Sequence, residues 1–215
     1  MKKHVLCLGD SNTHGLCPDP NECEDRGNRY SENERWTCLL QKALGEDYLI
    51  IEEGLSGRTS SFPDPTREGM DTLPVLVPIL LSHEPLDLLV LMLGTNDAKD
   101  HLNVNPTCIA LGVERLIRKA KQTDCWGGKS PRILLIAPHP VGREMRDATM
   151  GDRCAEKTEH LAEEFSLIAA ANGCSFLDAA EFSELTPVDH IHFSKKGHRM
   201  FAEKMIQVIP ELLRQ

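Results

Sequence analysis

Two short stretches, far apart in the chain, carry the residue types of nucleophilic catalysis: CLGDSNTH, which holds Ser11, and VDHIHFS, which holds Asp189 and His192. The first ends an apolar run, so Ser11 is read as sitting in a tight turn beyond a strand, with its hydroxyl and its own backbone N–H projecting into one space. A serine hydroxyl is a poor nucleophile until a base takes its proton. Asp189 and His192 stand three residues apart in a loop before the last helix. That spacing lets the carboxylate reach the imidazole N–H, hold its tautomer and stabilise the imidazolium formed when the ring accepts the serine proton. His190 competes as base but adjoins Asp189 directly, a poorer geometry for the same contact. Elsewhere, His4 lies at a strand start, and His83, His101 and His160 fall in polar loops or on helix surfaces.

Acyl transfer also needs donors for the oxyanion of its tetrahedral intermediate. Gly57, in GLSGRTS, has no side chain to block its N–H, and Asn96, in GTND, carries an amide that suits the same task. Each has a second reading, Gly57 as a turn glycine and Asn96 as a helix cap. Asp10, Arg58 and Asp97 are read as supporting residues that order strand ends by hydrogen bonding, and Asn12 and His14 as lining for a polar pocket.

These residues must be positioned by elements. Apolar runs of strand length cover residues 4–8, 48–52, 86–93, 132–137 and 174–177, nearly continuous instead of alternating, as in strands buried on both faces. Helical periodicity covers 34–44, 108–120, 158–171 and 196–213, with a further helix over 72–81 that Pro74 and Pro78 interrupt. Strands alternating with helices predict a five-stranded parallel sheet between helical layers, in one domain spanning residues 1–215. Ligands of such sheets meet the carboxyl ends of the strands. There the sequence places residues 9–11, GLSGRTS, GTND (94–97) and APHP (137–140), all expected to converge on one edge.

Composition narrows the function. The net charge of -9 is spread along the chain without a basic block, which excludes a nucleic-acid footprint or an anionic membrane surface as partner. The opening MKKHVLCLGDS is too short in apolar residues for a signal-peptide core or a membrane span, so a cytoplasmic protein is expected. Eight cysteines without a CxxC pair predict reduced, mostly buried thiols, with Cys7, Cys108 and Cys174 as small hydrophobes. Cys17 and Cys23 are the pair closest in sequence, and neither a disulfide nor a metal site is expected of them.

Taken in order, GDSNTHG, GLSGRTS, GTND and DHIH resemble the four blocks of the SGNH hydrolases of the GDSL esterase family. The resemblance implies that Ser11 is the nucleophile, His192 the general base and later acid, and Asp189 its orienting acid. It implies an oxyanion hole of Ser11 N–H, Gly57 N–H and the Asn96 side chain, no cofactor or metal, and a flavodoxin-like three-layer α/β/α sandwich. Asn12 departs from the literal G-D-S-L, at a position without a chemical role. ERW (34–36), IEEGLSGRT, LDLLVLMLGTND and DHIHFS are further similar to the arylesterase and acyltransferase group. Those are small intracellular proteins that act on short acyl esters, pass acetyl to alcohols and often form oligomers, commonly with alanine where this chain has Gly57.

The implied substrate is a small ester, acetyl above all, in a homo-oligomeric enzyme. Loops 18–31, 62–71 and 138–153 are expected to shape its pockets, the last as a lid, an oligomer contact or a solvated loop. A carbohydrate O-acetyl esterase is the alternative, because polar residues near Ser11 suit a sugar. A non-catalytic binding module, or a nucleotide or flavin binder, is the alternative of another class; GDSNTHG is not a P-loop, and no G-x-G-x-x-G follows a strand.

Overall fold

The computed structural model describes residues 2–24 and 26–214. Five apolar stretches form strands: β1 (Lys3–Gly9), β2 (Tyr48–Gly54), β3 (Leu88–Met92), β4 (Ile133–Ala137) and β5 (Ser175–Asp178). They make one sheet in the order β2-β1-β3-β4-β5, parallel at every pairing. This is the flavodoxin-like order, in which the chain leaves β1 toward one edge and returns on its other side, opening a crevice between β1 and β3.

Helices cover both faces. Leu6, Leu8, Leu89, Leu91 and Leu135 point to one side, against α3 (Leu76–Ser82), α4 (Pro106–Gln122) and α6 (Leu161–Ala171). Val5, Cys7, Val90, Met92, Leu134 and Ile136 point to the other, against α2 (Trp36–Leu44) and α7 (Lys195–Arg214). Neighbours along each strand thus face opposite layers, and both layers are apolar, which is why the strands read as continuous hydrophobic runs. The expected three-layer α/β/α sandwich is the observed one. The turn α1 (Ser11–His14) and a short α5 (Cys154–Glu159) complete the helices.

Several boundaries differ from the sequence expectation, each for a local reason. The helix expected over 158–171 is two, α5 and α6, broken at His160. The helix expected from residue 34 starts at Trp36, because the Glu34 carboxylate folds back onto the Ser31 and Glu24 N–H groups (2.9 and 3.3 Å) and the Lys195 ammonium (2.7 Å). The 72–81 segment is helical only from Leu76; Pro78 falls in its first turn, where a missing N–H has no intrahelical acceptor to lose. Helix α4 starts earlier than its apolar stripe, at Pro106, with Asn105 accepting from the Cys108 N–H at 2.8 Å. Cys108 accordingly opens the helix on its outer side and is exposed, contrary to expectation; five of the eight cysteines are buried. No disulfide joins cysteines among the described residues.

Candidate active site

The turn that carries Ser11 is built by close packing. β1 ends at Gly9, and Asp10 caps α1 by accepting the Asn12 N–H at 3.0 Å. Helix α1 lies directly on the strand ends: a Cβ on Gly54 would come within 2.1 Å of the His14 nitrogen, and one on Gly9 within 2.1 Å of Thr13 Oγ1. Ser11 is thereby the first helical residue, facing the crevice between β1 and β3.

Three side chains from two ends of the chain meet in a row. Ser11 Oγ lies 2.8 Å from His192 Nε2, and His192 Nδ1 lies 2.6 Å from Asp189 Oδ2. The second carboxylate oxygen, Asp189 Oδ1, accepts from the Ile191 and His192 N–H groups at 3.0 and 3.1 Å, so the acid is locked into its own loop. Burial alone would raise the Asp189 carboxyl; the His192 ring and those two amides outweigh it and hold the group below its ordinary value. With Nδ1 donating to the acid, Nε2 is left as acceptor for the serine proton. His190, the competing base, sits at φ 60°, and its carbonyl accepts from the Gly142 N–H at 2.7 Å.

The loops are tied together behind this row. Asp97 is fully buried and accepts from the Ser60 N–H (2.9 and 3.0 Å) and hydroxyl (2.6 Å), joining GTND to GLSGRTS. Burial pushes its pKa up to about 6 against those donors, with the Asp10 charge adding to the rise. Asp10 is likewise raised by burial, against the Asn12 amide and the charges of His192 and Arg58. Arg58, itself lowered by burial, donates to the Gly9 and Glu53 carbonyls at the ends of β1 and β2.

Ser11, Gly57, Asn96 and His192 line one cleft of about 190 Å³, walled by Leu16, Arg67, Lys99, Asp147, Thr149 and Met150 among others. Three of the four expected strand ends thus meet. APHP does not line the cleft; the stretch after it buttresses the histidine loop through Gly142. Loops 62–71 and 138–153 supply walls, whereas the described part of 18–31 supplies none and packs upon Cys17, Cys23 and Tyr30. His14 and Asn12 do not line the cleft either. His83 and His101 serve Glu53 and Asp64, both at 3.0 Å.

The function of Asn12 was missed by sequence reasoning. Its Oδ1 accepts from the Phe193 N–H at 2.8 Å and its Nδ2 donates to the Ile191 carbonyl at 3.4 Å, bracketing His192 from both sides. No local signal reveals this, since the partners lie some 180 positions away.

Residues 7–200 match the GDSL-like Lipase/Acylhydrolase family. The chain belongs to that family. Among solved structures, this GDSL-like acylhydrolase superposes on the native M. smegmatis aryl esterase with TM-score 0.89 and 33% identity, covering 98% of this chain and 99% of the other. It superposes equally on a carbohydrate acetylesterase family member from Sinorhizobium meliloti, with TM-score 0.88, 32% identity and coverage of 99% and 100%. A comparison with curated protein sequences returned no match. Among the described residues, no helix of this family member is long and apolar enough to cross a membrane, and no group of three or more His, Cys, Asp or Glu residues is placed to hold a metal ion.

Proposed function

We propose that the protein is a serine ester hydrolase acting on short-chain, acetyl-type carboxylic esters through an acyl-enzyme. The observation that carries the reading is the unbroken row Ser11 Oγ, His192, Asp189, at 2.8 and 2.6 Å, opening on the cleft that Gly57 and Asn96 also line. In this reading His192 takes the Ser11 proton as Oγ attacks the ester carbonyl, and Asp189 stabilises the resulting imidazolium. Ser11 N–H, Gly57 N–H and the Asn96 amide receive the oxyanion, each donor worth roughly 10²–10³ in turnover. The imidazolium then protonates the departing alcohol. Water, or an acceptor alcohol in acyl transfer, attacks the acyl-enzyme with His192 again as base.

The small cleft supports a short acyl group. A carbohydrate O-acetyl ester is the second reading, supported by the polar wall of Arg67, Lys99, Asp147 and Thr149 and by the likeness to the S. meliloti protein. We extend the reading to a single domain over residues 1–215, cytoplasmic and assembled as a homo-oligomer. Light scattering of the purified protein would measure the oligomeric state.

The deciding experiment is hydrolysis of chromogenic acetate, butyrate and octanoate esters by wild type and Ser11→Ala. Turnover strongest on acetate and reduced at least about 10³-fold in the variant is expected. No turnover of any ester by wild type, or full turnover by Ser11→Ala, overturns the proposal in favour of a binding module or another nucleophile.

A further inference from the structure

The cleft above Ser11 holds a charge that the proposed reaction does not use. Arg67 is exposed, and its guanidinium occupies the notch left by the absent side chain of Gly57: a Cβ built there would lie 2.1 Å from Nη1, 2.7 Å from Cζ and 3.3 Å from Nε. The cation therefore rests against the backbone of a proposed oxyanion donor, in the same cleft as the serine and the base.

Two carboxylates around the cleft are already taken by other groups, and a third, Asp147, uses one oxygen within its own turn. Asp64 holds the Lys99 ammonium at 2.9 Å and His101 at 3.0 Å. Asp147 Oδ1 accepts from the Thr149 N–H and hydroxyl at 2.7 and 2.6 Å, and Asp189 serves His192. Among the described residues, Arg67 has no ion-pair partner. A guanidinium presents a planar fork of donors that matches a carboxylate bidentately. Lys99 lines the cleft too but is spoken for by Asp64, so Arg67 is the cation left to a ligand.

We propose that Arg67 is a specificity-determining residue and that the protein prefers esters bearing a carboxylate close to the scissile carbonyl. This rests on the serine-esterase reading. The carboxylate belongs either to the acyl half, as in a hemiester of a dicarboxylic acid, or to the alcohol half, as in an acetylated hydroxy acid. Gly57 is part of the device, because a Cβ there would displace the guanidinium from where it now rests.

The test uses two matched pairs, 4-nitrophenyl hemisuccinate against 4-nitrophenyl butyrate and 4-acetoxybenzoate against its methyl ester, with Ser11→Ala as blank. Wild type should favour the anionic member of one pair, which identifies the half that carries the charge. Arg67→Met should lower the anionic-over-neutral ratio of kcat/KM by about tenfold or more, chiefly through KM, and Arg67→Lys should recover part of it. The ratio is internal to each protein, so partial misfolding cancels. An unchanged ratio in Arg67→Met, with wild type hydrolysing the neutral esters, overturns this inference alone. Failure of wild type to hydrolyse any of the four overturns the esterase reading and this inference with it.

Discussion

Asn12 stands where the literal family motif has leucine, and its amide helps to hold the loop of His192, the proposed general base. By bonding the Phe193 N–H and the Ile191 carbonyl, it fixes the backbone on both sides of His192 relative to Ser11. Asn12→Leu should therefore loosen the Ser11–His192 distance more than the cleft itself. Steady-state kinetics on 4-nitrophenyl acetate should give a kcat lower by about tenfold with KM little changed, since misplacement of reacting groups acts on the chemical step. A raised KM with kcat unchanged would assign Asn12 to substrate binding instead. At this scale Ser11, Gly57, Asn96, Asp189 and His192 could be proposed as a group because each sits in a short block whose chemistry is local, and the fold brings them to one place. Asn12 and Arg67 were not legible in this way, because what each one does depends on a residue brought near by the fold.

Among the elements, the decisive contact is α1 lying on the ends of β1 and β2. Gly54 has backbone of α1 at 2.1 and 2.5 Å from where its Cβ would be, and backbone cannot swing aside as a side chain can. Gly54→Ala must then shift the turn that holds Ser11. A thermal melt should show Tm lower by roughly 4 °C or more, with turnover falling in step. An unaltered melt would mean that the turn has slack. The strands were legible as elements because burial on both faces leaves a continuous apolar signature. Helix ends were less so: Glu34 reads as a helix former, yet its carboxylate is consumed by the Ser31 and Glu24 amides, a competition that periodicity does not register.

For the molecule as a whole, two buried groups tilt stability with pH in opposite directions. His198 is fully buried, with Nδ1 accepting from the Trp36 N–H at 3.3 Å, and burial lowers its pKa from 6.5 to about 3. Because the folded form binds its proton less readily, this contribution is present above pH 6.5 and is lost as pH falls toward 3. Asp97, raised from 3.8 to about 6, acts the other way and adds stability as pH falls through that window. His198→Asn keeps an acceptor for Trp36 and removes the titration. Urea unfolding at pH 7 and pH 5 should show wild type losing about 2 kcal/mol relative to the variant. A constant difference between the two proteins would mean that His198 does not change its proton affinity on folding. The strand order β2-β1-β3-β4-β5, which sets the crevice for Ser11, was not readable from the strands themselves; it came with the resemblance, because periodicity reports burial and not neighbours.

Trp36 anchors α2 to the turn that carries Ser11: its indole N–H donates to the Asn12 carbonyl at 3.2 Å, one residue away. The chain has two tryptophans, and the other, Trp126, is bonded instead to the Ala120 carbonyl at the end of α4. Trp126→Phe leaves Trp36 as the single tryptophan, bonded one residue from Ser11. Under the proposed mechanism its emission, followed in a stopped flow after mixing with ester, should change as Ser11 is acylated and deacylated.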